Sequence, residues 1–190
     1  MDQQTKVVAV VVGLLLVYAA THQGSGTAGD DESNIFEDGI EEIMSRITSW
    51  PTGSGPYQAT IASAAVQYGV PAEILAWLLW KESRYNPRIV DGTIRSPVGA
   101  MGIGQFMPAT AREELGSADA ALDPDIAIPG AARYLAKLYR SVDTWAEALA
   151  AYNWGIGNVM RKGLAAAPAE TRNYYSDILA KANASGGAYE

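Results

Sequence analysis

Pro71-Ala72-Glu73-Ile74-Leu75-Ala76-Trp77-Leu78-Leu79-Trp80-Lys81-Glu82-Ser83 is the stretch that decides the fold. Its large apolar residues recur three and four apart, the spacing of neighbours on one helical face. Pro71 suits the first turn of such a helix, where a missing N–H costs nothing. On this helix Leu75, Leu78, Leu79 and Glu82 share a face. A carboxylate on an apolar face is costly when ionised. Burial raises its pKa, and the negative end of the helix dipole acts in the same direction. A carboxyl held protonated near neutral pH can serve as a general acid. Taken alone, the helix is also compatible with Glu82 as an ordinary solvated residue of its last turn.

Working outward, helical periodicity continues on both sides. Ile61, Ala64, Ala65 and Tyr68 form a stripe that ends at Gly69. Pro108 opens a further helix that stops at Gly116. Pro124, Pro129 and Gly130 are expected to break up the approach to a helix through Leu135 and Leu138, with Pro129 as a kink. Asp143 or Thr144 caps a helix that ends near Tyr152, and the last helix runs from about Ala169 to Ala184. The tail after Asn183 is expected to fray. There are no alternating strand runs and no internal repeat, so the fold class is all-α.

The part before Tyr57 differs in character. Val7 to Ala20 is an unbroken run of fourteen apolar or small residues after Lys6. It is shorter than the ~20 residues of a typical membrane span and fits a signal h-region, with Val17-Tyr18-Ala19 as a possible cleavage pattern. The N-terminal flank is barely positive, which favours a retained, tilted membrane anchor over a cleaved signal. A buried hydrophobic helix is the remaining alternative. Residues 1–22 are therefore an anchor or signal segment. Residues 23–56 make an acidic linker, Gln23 to Asn34, and an amphipathic helix over Ile35 to Trp50 carrying Ile35, Phe36, Ile40, Ile43, Met44 and Ile47.

Composition removes several function classes. The chain has no cysteine and a single histidine, His22, so thiolate chemistry, disulfides, a Ser-His-Asp triad and a His-rich zinc site are disfavoured. The net charge of −7 is uneven. Residues 23–55 carry seven acidic side chains against Arg46, whereas residues 56–190 carry twelve basic and thirteen acidic ones. No basic stripe is present, and a nucleic-acid partner is disfavoured. Gly102-Ile103-Gly104 lacks the third glycine and the preceding strand of a dinucleotide fingerprint.

Downstream of Glu82 a series of short motifs appears in order. Glu82-Ser83-Arg84-Tyr85-Asn86-Pro87 is followed by Ser96-Pro97-Val98-Gly99-Ala100-Met101-Gly102-Ile103-Gly104-Gln105-Phe106-Met107-Pro108. Then come Gly130-Ala131-Ala132-Arg133-Tyr134-Leu135, Ala150-Ala151-Tyr152-Asn153-Trp154-Gly155-Ile156-Gly157 and Glu170-Thr171-Arg172-Asn173-Tyr174-Tyr175. From about Tyr57 to Leu179 this series resembles the catalytic domain of soluble-type lytic transglycosylases, relatives of goose-type lysozyme, of bacterial or phage origin. The resemblance implies a lysozyme-like helical domain, here residues 57–184, followed by a tail at 185–190. It implies cleavage of the β-1,4 bond between N-acetylmuramic acid and N-acetylglucosamine in peptidoglycan, with an anhydro product and neither metal nor organic cofactor. The expected setting is the inner membrane facing the wall, a virion if the chain is phage-encoded, or secretion if the N-terminal segment is cleaved.

The resemblance also assigns roles. Glu82 is the catalytic acid, used again as a base. Ser96 lies near the substrate acetamido group, Gln105 near the catalytic carboxyl, and Met107 packs against sugar. Tyr134, Tyr152 and Asn153 are cleft residues, with the Tyr152 hydroxyl close to Glu82. Thr110 and Glu170 are further substrate contacts. Packing or helix-end roles account equally well for Met107, Thr110, Tyr134 and Glu170, and Trp77 and Trp80 read as core. Many relatives carry Leu-Met-Gln where this chain has Ile103-Gly104-Gln105, which removes a side chain from the groove wall. Glycosidases usually need two carboxylates. None of Asp91, Glu113, Glu114 or Asp123 is a persuasive partner, and one glutamate used twice explains why. Two other functions compete: a hydrolytic goose-type muramidase, and a non-catalytic wall-binding or assembly module.

Overall fold

The structure is a computed structural model and describes residues 29–189. Among the described residues there are nine α-helices: α1 Gly29–Arg46, α2 Gln58–Tyr68, α3 Ala72–Ser83, α4 Pro87–Val90, α5 Pro108–Leu115, α6 Pro124–Val142, α7 Trp145–Trp154, α8 Ile156–Lys162 and α9 Ala169–Ala184. Short 3₁₀ turns at Gly55–Tyr57, Asp119–Leu122 and Leu164–Ala166 join them. Among the described residues there is no strand, only an isolated antiparallel bridge between Met101 and Phe106.

Helix α3 is the axis of the core. Ile74, Leu75, Leu78 and Leu79 are fully buried, packed with Ile61 of α2, Ile128 and Leu135 of α6, Leu149 of α7 and Ile178 of α9. Side chains of this size each contribute roughly 1.5–3 kcal/mol when fully buried. The neighbours are largely alanine: Ala64 and Ala65 on α2, Ala131 and Ala132 on α6, Ala148, Ala150 and Ala151 on α7. Small residues let helix axes approach closely, so α3 is enclosed on several sides.

Two sequence expectations change here. Helix α6 is continuous from Pro124 to Val142, with Pro129 inside it and buried. Asp123 caps it, its Oδ1 accepting from the Asp125 N–H at 3.0 Å. Pro129 removes one donor to the Asp125 carbonyl, which lies in the exposed first turn where water can serve it. Gly130 is needed for packing: a Cβ there would sit 2.0 Å from Leu115 Cδ2 of α5. The other change is at the N-terminal side. Helix α1 already begins at Gly29, inside the expected linker, and stops at Arg46, before Trp50. It packs on α2 through Ile40, Ala62, Phe36, Ile43 and Val66. The Val7–Ala20 segment lies outside the described residues, and among those described no helix is long and apolar enough to cross a membrane.

The tail does not fray. Tyr189 N–H donates to Asn183 Oδ1 at 2.7 Å, and the Gly187 N–H donates to the Ala182 carbonyl at 3.1 Å. Trp77 Nε1 of α3 donates to Ser185 Oγ at 2.8 Å, and the Thr48 N–H donates to the Ser185 carbonyl at 3.0 Å. The Tyr189 hydroxyl donates to Glu73 Oε2 at 2.8 Å. Glu73, in the first turn of α3, has no exposed surface and forms an ion pair with Arg46 of α1 at 2.9 Å. The segments on either side of the helical domain therefore close over the start of its central helix.

Candidate active site

Glu82 occupies the last turn of α3, one residue before Ser83. The chain then turns sharply. Arg84 and Tyr85 both adopt left-handed backbone conformations, with φ of 54° and 52°. This geometry costs an L-residue roughly 1–2 kcal/mol. It is held by Tyr85, whose hydroxyl donates to the Ala76 carbonyl at 2.7 Å and whose N–H donates to Ser83 Oγ at 3.2 Å. The turn fixes the end of α3, and with it the carboxyl.

Three tyrosines from three helices meet there. Tyr174 of α9 donates its hydroxyl to Glu82 Oε1 at 2.5 Å. Tyr152 of α7 donates to the Gly104 carbonyl at 2.9 Å. The Tyr134 ring of α6 packs 5.4 Å from the Tyr152 ring, and Phe106 meets Tyr152 edge-on at 6.3 Å. Part of Glu82 stays open to solvent while its carboxyl is walled by protein. Desolvation is the largest influence on it. The Tyr174 hydrogen bond and the charge of Lys81 oppose it, and the balance raises the pKa to about 7. Burial, then the Glu82 charge, pushes the Tyr152 and Tyr174 hydroxyls well up, so both remain protonated donors.

The glycine-containing loop is a small closed structure. Met101 and Phe106 exchange two backbone hydrogen bonds, of 3.0 and 2.9 Å. Gln105 has φ of 46°, and its Nε2 donates to the Gly102 carbonyl at 2.9 Å. Gly102 has φ of 72°, and a Cβ on it would lie 1.6 Å from the Ala121 carbonyl oxygen, so no other residue fits. Gly104 is not an empty place in the wall. A Cβ there would meet Phe106 Cε2 at 2.9 Å and the Tyr152 hydroxyl at 3.1 Å. The Phe106 ring and Tyr152 fill the space that a larger residue at 104 would take.

The other residues singled out from the sequence are more dispersed. Asn153 Oδ1 accepts from the buried Thr171 hydroxyl at 2.8 Å, which ties α7 to α9. Ser96 is half-buried in its loop, its Oγ accepting from the Val98 N–H at 3.3 Å. Met107 is exposed, Thr110 half-buried and Glu170 exposed at the start of α9. No hydrogen bond joins Ser96, Met107, Thr110 or Glu170 to the Glu82 cluster. The Tyr152 hydroxyl serves Gly104 rather than Glu82. The residue that does reach Glu82 is Tyr174, which sequence reasoning quoted without a role. A faint signal existed: Thr171, Tyr174 and Ile178 share the buried face of α9. The partner, 92 positions away, was not readable from that periodicity.

Among the described residues no group of three or more His, Cys, Asp or Glu side chains could hold a metal ion. The four acids considered as second carboxylates lie elsewhere. Asp91 is exposed and its Oδ1 accepts from the Thr93 N–H at 2.8 Å. Asp123 is a helix cap, and Glu113 and Glu114 accept from Lys137 at 3.2 and 2.7 Å.

Comparison with known proteins sets this geometry in context. The membrane-bound lytic murein transglycosylase F 2 of Alkalilimnicola ehrlichii is 36% identical over 111 residues, covering 55% of this chain and 23% of its own. The transglycosylase of Enterobacteria phage PRD1 is 35% identical over 135 residues, covering 70% and 45%. The peptidoglycan transglycosylase gp16 of Escherichia phage T7 is 34% identical over 137 residues, covering 65% and 10%. The chain thus spans less than half the length of each. The fold resembles an inactive mutant of the lytic transglycosylase Slt from Pseudomonas aeruginosa, with a TM-score of 0.59, 25% identity, and coverage of 84% of this chain and 28% of that one. The 70 kDa soluble lytic transglycosylase of Escherichia coli shares the all-α lysozyme-like fold, with a TM-score of 0.53, 21% identity, and coverage of 95% and 34%. Residues 59–175 match the Transglycosylase SLT domain, and the chain belongs to that family.

Proposed function

We propose that this chain is a peptidoglycan lytic transglycosylase that cleaves the β-1,4 bond between N-acetylmuramic acid and N-acetylglucosamine and forms a 1,6-anhydromuramic end. The observation that carries the reading is the Glu82 carboxyl, raised to about 7 by burial and hydrogen-bonded by Tyr174. A pKa near the working pH lets one group both give and take a proton. In the first half-reaction protonated Glu82 transfers its proton to the bridging oxygen, and the bond from that oxygen to the muramic C1 breaks. The carboxylate left behind accepts the proton of the muramic C6 hydroxyl, whose oxygen forms the new bond to C1. Glu82 is then protonated again and no water has been consumed. Tyr174 donates to the carboxylate that exists between the halves and steadies it there. The attack is intramolecular, so it gains from high effective concentration.

The surroundings support the same chemistry. None of the charges that move Glu82 belongs to a carboxylate, as a mechanism with a single acid requires. Tyr134 and Tyr152 offer flat aromatic faces and hydroxyls for sugar rings. Gln105, Met107 and Thr110 follow one another along one loop and the start of α5. With Ser96, Asn153 and Glu170 they are the substrate contacts in this reading. Peptidoglycan strands are the partner. The Val7–Ala20 segment holds the enzyme at a membrane facing the wall, or accompanies it in a virion. Mass spectrometry of digested sacculi tests the reaction. The expected muropeptides are lighter by one water than hydrolytic products, and products of hydrolytic mass would overturn the assignment in favour of a muramidase.

A further inference from the structure

Besides its apolar face, α3 presents a second, charged and aromatic face. Trp77, Trp80, Lys81 and Arg84 recur three and four apart, on the side away from Leu75, Leu78, Leu79 and Glu82. The Arg84 guanidinium lies over the Trp80 ring, 3.6 Å from its centroid. The Lys181 ammonium of α9 lies 5.4 Å from the Trp80 ring and 5.9 Å from that of Trp77. Asp177 pairs with Lys81 at 2.7 Å and also with Lys181. The face thus gathers three cations and one carboxylate in a chain whose net charge is −7. Arg84 is exposed, and Trp77, Trp80, Lys81 and Lys181 are half-buried.

Arg84 is the unusual member. Helices α2 and α5 end on left-handed glycines, Gly69 and Gly116, which take that conformation at no steric cost. Helix α3 ends on a left-handed arginine, as α6 ends on a left-handed aspartate, Asp143. Among the described residues no carboxylate lies within ion-pairing distance of it. A guanidinium held over Trp80 is a planar fork of the kind that grips a carboxylate with two parallel hydrogen bonds. The Arg84 guanidinium, held over Trp80 beside two lysine ammoniums and without a carboxylate of its own, points to an anionic ligand.

We propose that Arg84, Trp80, Lys81 and Lys181 form a second wall-binding site, which takes a carboxylate of a peptidoglycan peptide stem outside the cleft that holds Glu82. The proposal rests on the peptidoglycan reading above for the identity of its ligand. Peptide stems carry the free carboxylates of that polymer, and holding one raises the effective concentration of neighbouring glycan at the cleft. Cosedimentation of full-length protein in a Glu82→Gln background tests it, with peptide-bearing sacculi in one arm and, in the other, the same sacculi with their carboxylates amidated by carbodiimide and ammonia. Arg84→Gly suits the left-handed position, so its thermal midpoint is expected to equal or exceed that of the parent; Arg84→Gln serves as a second variant. Both are expected to weaken binding to peptide-bearing wall roughly three- to tenfold, the size of one charge-assisted contact. Binding to the amidated wall is expected to be unchanged by either substitution. Unaltered binding to the unmodified wall, an equal loss on both materials, or no preference of the parent for unmodified over amidated wall would each overturn the site. Anhydro product release by the wild type is measured in parallel. Carboxylate-dependent binding without that product would remove the proposed activity and leave this site standing.

Discussion

Helix α3 carries a carboxyl at each end, and the two have opposite surroundings. Glu73 stands second in the helix and Glu82 second from last, about 13 Å apart at ~1.5 Å per residue. Glu73 has no exposed surface, yet it has an arginine at 2.9 Å and a tyrosine hydroxyl at 2.8 Å. It also lies at the helix end whose dipole favours negative charge. Glu82 lies at the end that disfavours it, receives a hydroxyl at 2.5 Å, and has no cation bonded to it. A buried charge given a cation becomes part of the scaffold. A carboxyl given only a neutral donor and a lack of water keeps its proton near neutrality, which is what acid–base chemistry needs.

The sharpest way to break this comparison is to neutralise each carboxyl. Glu82→Gln is expected to reduce turnover by about 10²–10⁴-fold or more, since general acid–base catalysis supplies that range and the same group acts twice. Its thermal midpoint is expected to hold or rise, because an unfavourable buried charge has been removed. A folded Glu82→Gln protein with near-normal muropeptide release would end the assignment. Asp91→Asn, at an exposed turn, is expected to leave turnover unchanged.

At the other end the effect is expected on stability. Arg46→Ala leaves the Glu73 charge buried with only Tyr189 for company. Breaking a buried pair costs about 3–5 kcal/mol, and the exposed side of Arg46 brings the expectation down to about 2–3 kcal/mol. The double variant Arg46→Ala with Glu73→Gln is expected to recover much of this. Urea unfolding of the two variants measures it, and a double variant no more stable than Arg46→Ala would show that the charge is not what matters.

Tyr174→Phe sharpens the account of Glu82. The hydrogen bond opposes the rise in pKa, so removing it is expected to move the pKa above about 7 and shift the alkaline limb of activity upward. Turnover is expected to fall roughly ten- to hundredfold, the worth of a hydrogen bond to a charged group. Isotope-edited NMR of the Glu82 carboxyl with a pH–rate profile would test both, and a pKa unmoved or lowered would overturn the role given to Tyr174.

The same elevated carboxyl makes stability depend on pH. The folded pKa of Glu82 is raised to about 7, above its value in an unfolded chain. The group's contribution to stability is therefore fully present below the unfolded pKa, near 4.3. It declines as pH rises from there through about 7. Activity limited by the protonated acid declines over the upper part of the same window. Comparison of unfolding free energies for wild type and Glu82→Gln isolates this contribution, and a difference that did not grow with pH across that window would remove the burial argument.

Much of this was legible along the chain because it depends on local spacing. The helical stripes of α2, α3 and α9, the stops at Gly69 and Gly116 and the absence of alternating runs follow from periodicity and turn chemistry. So does the candidacy of Glu82, an acid in phase with Leu75, Leu78 and Leu79. Local rules failed where neighbours far along the chain outweighed them. Pro129 and Gly130 look like breakers, yet Leu115 needs the space at Gly130, and an exposed carbonyl tolerates the proline. The tail looked free, but Asn183, Ser185 and Glu73 hold it.

An all-α chain with one acid in phase with an apolar face can be read from local spacing, because helix periodicity is a property of a single segment. What that carboxyl meets depends on the folded core. Tyr174 reaches it because α9 packs along α3, and Tyr152 instead holds Gly104 because Phe106 and a side-chain-free position 104 bring that carbonyl within 2.9 Å. The core also separates the roles of Glu73 and Glu82. Both are acids on one apolar helix, and the difference between them lies in a cation supplied by α1 and in water excluded by α9 and its neighbours. Such contacts join residues distant in sequence, and their distances exist only once the core has closed.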